Sequence, residues 1–193
     1  MFESPESAAS TVVLGVGNPL MGDDGLGLVA LERLRRGWTF SPHVELVDGG
    51  TWGMNLLPTI ESASHLLVVD AIHRDLPPGA SVRMEREDLP RMLSSVLSPH
   101  QIDLKEVFAL AEIRGTFPPE AVALGLQPHV VAMGTELSEA VAARMDSLLA
   151  AIIEQLTEWG HVNQRIAGEA SARAPEAAWT VPRHVPPPPA KRA

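Results

Sequence analysis

Val12 to Val16 (VVLGV) is an unbroken apolar run, too short for a helix and without the alternation of a strand wetted on one side. A segment like this is stable only in the middle of a sheet that is covered on both faces. The same kind of run recurs in HLLVVDA, around Leu66 to Val69, and at Ala121 to Leu126. Shorter strands are expected at Val44 to Val47 and, more weakly, at Ser81 to Met84. Between them lie stretches with helical spacing. One starts near Asp24, with Leu26, Ala30 and Leu34 on one face and Gly37 placed to end it. Others cover Trp52 to Ala63, Asp88 to Leu97 and Leu104 to Ile113. The clearest carries Leu137, Val141, Met145, Leu148, Ile152 and Leu156 on one face, with Thr135 or Ser138 as its N-cap. Strands alternating with helices require crossover connections. The expected fold is therefore α/β: three layers, a twisted, mostly parallel sheet with helices on both faces.

The chain has 193 residues, enough for one good core, and no internal repeat. Residues 1–10 are expected to form an N-terminal extension and residues 11–160 the folded domain. Residues 161–193 are rich in Ala and Pro, end in PPPPAKRA, and are expected to form a disordered tail. The net charge of −9 is uneven: residues 160–193 carry about +3 and the remainder about −12. Nucleic acid is thereby excluded as a general partner, since phosphate binding rests on clustered Lys and Arg. No segment reads as a secretory signal or a membrane span, so a cytoplasmic protein without a membrane partner is expected. The chain has no cysteine, which removes disulfides, thiolate nucleophiles and sulfur-based metal sites. Any metal chemistry must use His, Asp and Glu.

In a parallel sheet, ligands bind beyond the carboxyl ends of the strands. Three polar segments fall there: GDDG at Gly22 to Gly25, VVDA at Val68 to Ala71, and SPHQ at Ser98 to Gln101. Asp24, Asp70 and His100 together would make a divalent-metal site of oxygen and nitrogen donors with room for an outside ligand. Each also has a purely structural reading. Asp24 can cap the first helix, Asp70 can accept from backbone donors in the loop after its strand, and His100 can simply open a helix. His43, His65, His73, His129, His161 and His184 are given no role, although His73 and His129 lie in loops that could border the site. Asp48, with Gly49 and Gly50 behind it, shapes a turn where backbone must come close.

The glycines after the first strand suggest a dinucleotide loop, with Asp48 as the ribose-binding acid. The fingerprint fails, because Pro19, Leu20 and Met21 precede the next glycine. Asp23 and Asp24 would also repel a pyrophosphate at the helix start. Neither a P-loop nor a G-x-S-x-G nucleophile elbow is present.

GVGNPLMGDDGLG, VDGGTWGMNLL, LLVVDAI and SPHQIDL, in that order, closely resemble the nickel-iron hydrogenase maturation endopeptidases. The resemblance spans Val12 to Trp159. It implies a twisted sheet flanked by helices, and a peptidase that removes the C-terminal extension of the hydrogenase large-subunit precursor after nickel insertion. By motif, the family's metal-contacting trio falls on Asp24, Asp70 and His100. The resemblance further implies that nickel is contacted in the nickel-loaded precursor and is not a tightly held cofactor of the protease. A monomer is expected. Hydrolysis could run with metal assistance, the favoured route, or with Asp24 or Asp70 as general base. Two competing readings are a nickel-reading chaperone without hydrolysis and a nucleotide-dependent oxidoreductase. Shortening of a loaded precursor separates the first from a protease, and cofactor titration tests the second.

Overall fold

The computed structural model describes residues 10–50, 53–89 and 104–166. Its centre is a five-stranded sheet. Strand β1 (Thr11–Val16) pairs in parallel with β3 (Val44–Gly50) on one side and β4 (His65–Ala71) on the other. Strand β6 (Glu120–Leu126) extends the sheet in parallel beyond β4, and β5 (Ser81–Glu85) closes that edge antiparallel to β6. The order is β3-β1-β4-β6-β5.

The apolar runs sit where their composition demands. Val12 and Leu14 of β1, Leu66 and Val68 of β4, and Ala121 and Ala123 of β6 point into one core. Val13, Leu67, Val69, Val122, Leu124 and Leu126 point into the other. Helices α2 (Leu57–Ser62) and α3 (Leu104–Ile113) cover the first face, burying Ile60, Val107 and Phe108. The second face is covered by α1 (Leu26–Gly37), the short α4 (Glu139–Ala142) and α5 (Met145–Glu158). Each fully buried Leu or Phe contributes about 1.5–3 kcal/mol by leaving water, so both faces hold the sheet.

The expected architecture is thus observed, with four differences in detail. The helix expected from Leu137 is two helices. Ser138 caps the first, its hydroxyl accepting from the Val141 amide at 3.4 Å. The Arg144 amide then donates to the Val141 carbonyl at 2.9 Å, a tighter closure that ends α4 before α5 begins. The apolar spacing conceals this break, because Val141 and Met145 on either side of it are both fully buried. Second, the segment expected to be helical from Trp52 begins as a 3-10 turn at Gly53–Leu56, residues 51 and 52 lying outside the described residues. Third, Asp88 belongs to a 3-10 turn (Arg86–Asp88), and the rest of the helix expected to Leu97 lies outside the described residues from residue 90 on.

The fourth difference concerns the end of the domain. Beyond residue 160 the chain still folds: β7 (Val162–Arg165) pairs antiparallel with β2 (Trp38–Ser41), a strand also not expected from the sequence. The Ile166 amide donates to the Gly37 carbonyl at 2.9 Å, and the Arg165 guanidinium lies 5.6 Å from the Trp38 ring centroid. His161 is buried just before β7. Its Nδ1 lies 2.9 Å from the Pro42 carbonyl and its Nε2 lies 2.8 Å from the Thr11 hydroxyl. A carbonyl only accepts, so Nδ1 carries the hydrogen and, in the neutral ring, Nε2 accepts from Thr11.

Candidate active site at the carboxyl edge of the sheet

From β1 the chain crosses by α1 to β3 on one side, then returns by α2 to β4 on the other. The carboxyl ends of β1 and β4 therefore flank the topological switch point, where such sheets leave a crevice. Gly15 pairs with Val69, so Asp70 follows at the very end of this pairing. Asp24 approaches from the loop that leaves β1.

That loop is shaped by close packing. Gly17 has φ +117°, and a Cβ there would lie 1.8 Å from the carbonyl oxygen of Asp24. Gly27 lies in the first turn of α1; a Cβ on it would stand 2.3 Å from the Val69 carbonyl and 2.5 Å from that of Val16. The start of α1 thus rests directly on the ends of β1 and β4. The glycines bring backbone and Asp24 up to the crevice, in place of wrapping a phosphate.

The two acids of GDDG do different work. Asp23 is completely buried and accepts four hydrogen bonds. Its Oδ2 takes the His129 and Val130 amides and the Ser138 hydroxyl, each at 2.8 Å, and Oδ1 takes the Ser138 amide at 2.7 Å. Burial works to raise its pKa, but the donors from Val130, Ser138 and His129 outweigh it, holding the carboxyl below its ordinary value of 3.8. Sequence reasoning assigned this residue no anchoring role, since its partners lie more than a hundred residues away.

Asp24 is only partly buried. The N-cap position of α1 is Gly25, with no side-chain cap, so the capping expectation is not met. Instead the Asn18 amide donates to Asp24 Oδ2 at 2.7 Å, orienting the carboxylate across the loop and engaging one of its two oxygens. Asp70, also partly exposed, accepts from the Ala71 amide through Oδ1 at 2.7 Å, in keeping with its backbone-accepting role as well. His100 lies outside the described residues. Among the described residues no group of three His, Cys, Asp or Glu side chains comes together as a metal site.

His73 and His129 are both exposed at this edge. His73 Nδ1 lies 3.4 Å from Gln127 Nε2, and the Oε1 of the same side-chain amide accepts from the Arg74 backbone amide at 2.7 Å. Gln127 thereby ties the loop after β4 to the end of β6. Asp48 is exposed beside Gly15, where the β1–β3 register shifts.

Two partly exposed carboxylates at the switch-point edge of a doubly wound α/β sheet can meet a cation or move a proton at a polar substrate. The comparisons make this specific. The family model for hydrogenase maturation protease matches residues 29–155, which include Asp70 and His100. The hydrogenase expression/formation protein HupD of Thiocapsa roseopersicina is 37% identical over 156 residues, covering 80% of this chain and 71% of its own length. The hydrogenase 2 maturation protease of Escherichia coli is 32% identical over 150 residues, covering 77% of this chain and 92% of its own. Among solved structures, the hydrogenase maturating endopeptidase HybD from E. coli superimposes with a TM-score of 0.76 at 30% identity, over 81% of this chain and 97% of that one. The chain belongs to the hydrogenase maturation protease family, and it is an endopeptidase.

Proposed function

We propose that this protein makes one cut in the large-subunit precursor of a nickel-iron hydrogenase, removing its C-terminal extension once nickel is in place, and that Asp24, Asp70 and His100 carry the reaction. The observation behind this reading is the position of Asp24 and Asp70 on either side of the β1/β4 switch point, each partly exposed. His100 joins them by its motif. Carboxylate and imidazole donors can touch a nickel centre held by the precursor's thiolates without stripping it, since soft sulfur ligands keep the metal. Nickel is then part of the substrate.

Water adds to the scissile carbonyl carbon, the C–N bond breaks, and the proton lost by water ends on the leaving amine. The substrate's nickel would polarise the carbonyl or lower the pKa of the water; in the alternative route Asp24 or Asp70 would take the proton from water as general base. Metal-assisted hydrolysis is the route favoured. The reaction is assigned to the cytoplasm and to a monomer. Among the described residues no helix is long and apolar enough to cross a membrane.

Purified protein incubated with nickel-loaded and nickel-free precursor tests the proposal. The loaded precursor should shorten and the empty one should not, because only the first offers the contact these residues read. Equal cleavage of both would remove nickel reading from the mechanism.

A further inference from the structure

Three of the six exposed large apolar side chains among the described residues lie on the loop that leads into GDDG and on the loop hydrogen-bonded to it. Leu20 is 60% exposed, Val130 44% and Met133 92%. These side chains do not stand on free loops. The Gly134 amide donates to the Leu20 carbonyl at 2.9 Å, the Gly22 amide to the Gly134 carbonyl at 2.8 Å, and the Asp23 amide to the Val130 carbonyl at 3.0 Å. Met21 and Gly134 form a parallel bridge, and Asp23 pins His129, Val130 and Ser138 from beneath. The outcome is a braced apolar shelf made of two loops. Braced surfaces of this kind mark binding sites, because a soluble protein otherwise keeps such groups scattered.

Charge points to the kind of partner. The chain carries −9, yet residues 15–22 (GVGNPLMG) and 125–135 (GLQPHVVAMGT) contain no Asp, Glu, Lys or Arg. The two segments that carry the shelf are therefore uncharged in an acidic molecule, with Asp24 and Glu136 at their margins. The shelf is also continuous with the candidate site, since Asn18, two residues before Leu20, donates to Asp24. Met133 adds an unbranched, polarisable side chain that adapts to an irregular partner.

We infer that Leu20, Val130 and Met133 form the docking shelf for an uncharged, apolar segment of the large-subunit precursor next to its cut site. This rests on the proposed function, and it adds where the substrate is gripped. Binding energy gathered here places the scissile bond against Asp24 and Asp70.

The test combines direct binding of the nickel-loaded precursor, by interferometry, with cleavage kinetics, for wild type, Met133→Ser, the double variant Leu20→Ser/Met133→Ser, and Ile113→Ser. Ile113 is 84% exposed at the end of α3, toward the opposite edge of the sheet, and serves as the control. The double variant should weaken Kd and raise KM about tenfold, the effect of losing a small hot spot, with kcat at saturation nearly unchanged. Met133→Leu should bind like wild type, and Ile113→Ser should change nothing. Unchanged Kd in both serine variants of the shelf, or an equal loss from Ile113→Ser, overturns the shelf. If the double variant unfolds, Met133→Ser decides alone, since so exposed a side chain holds no core. A wild-type protein that binds through the shelf but never cuts would sink the proposed reaction and keep the shelf; one that neither binds nor cuts would sink both.

Discussion

His161 at the amino edge of the sheet and Asp24 at the carboxyl edge use their polar atoms in opposite ways. At the amino edge, His161 is buried and both ring nitrogens are matched, to Pro42 and Thr11. Nearby, burial holds the His65 imidazole below its ordinary 6.5, Glu120 opposing and His161 reinforcing that shift. At the carboxyl edge, Asp24 accepts through one oxygen from a single backbone donor among the described residues and remains partly exposed. A buried polar group whose bonds are all made by its own protein stabilises the fold and has nothing left for a substrate. Residue type is thus a poor guide to function, and remaining bonding capacity at an accessible edge is a better one. Asp23 and Asp24 repeat the contrast between adjacent residues.

The comparison breaks most visibly if the carboxyl edge is not catalytic. Asp24→Asn, Asp70→Asn and His100→Ala should each slow precursor processing at least about 100-fold, the scale of losing a general base or metal-directed group. Melting temperatures should stay near wild type. Normal processing by Asp24→Asn and Asp70→Asn together would move the chemistry elsewhere.

Asp23 should behave in the opposite sense. Asp23→Ala leaves three part-buried amides and a hydroxyl without their acceptor, a loss on the order of 2–4 kcal/mol in chemical denaturation. Acid should act on the same contact. Because the folded carboxyl lies below 3.8, its stabilisation is complete above that value and is lost as pH falls through the lowered folded pKa. Wild type should therefore weaken below about pH 4, and Asp23→Asn should show a flatter acid limb.

How far these differences were legible depended on the range of the forces involved. Strands β1, β4 and β6 declared themselves because two-sided burial demands uninterrupted apolar residues, and α3 has the bounds its spacing implies. Asp24 and Asp70 were legible as candidates because topology sends strand ends to one edge. The roles of neighbouring acids were not: only the fold brings Ser138 and His129 to Asp23 and leaves Asn18 to Asp24. Strands β2 and β7 escaped notice for a related reason. Each is four residues long and largely exposed, so pairing across more than 120 residues, and not local pattern, makes them strands.

The β2–β7 ribbon supplies a smaller test. A chain ending at Gly160 loses β7 and the His161 bonds, and should be destabilised by about 2–4 kcal/mol. A chain ending at Ile166 keeps both and should unfold like the full-length protein. Equal stability of the two truncated chains would mean that the ribbon adds nothing to the body.

The smallest expected effect comes from one oxygen atom at the amino edge. Thr11 is buried at the start of β1, and Thr11→Val keeps the branched shape that suits a strand while removing the hydroxyl that His161 Nε2 meets at 2.8 Å. The variant should lose about 1 kcal/mol in urea unfolding, the net worth of one hydrogen bond plus part of the desolvation left on the ring nitrogen. Processing of the precursor should be unchanged. Asp24→Asn at the other edge is an equally small change in shape, and there the expectation is inverted: stability holds and cleavage slows at least about 100-fold. If Thr11→Val instead slowed cleavage at unchanged stability, the amino edge would be coupled to the reaction, and unused bonding capacity would no longer separate the two edges.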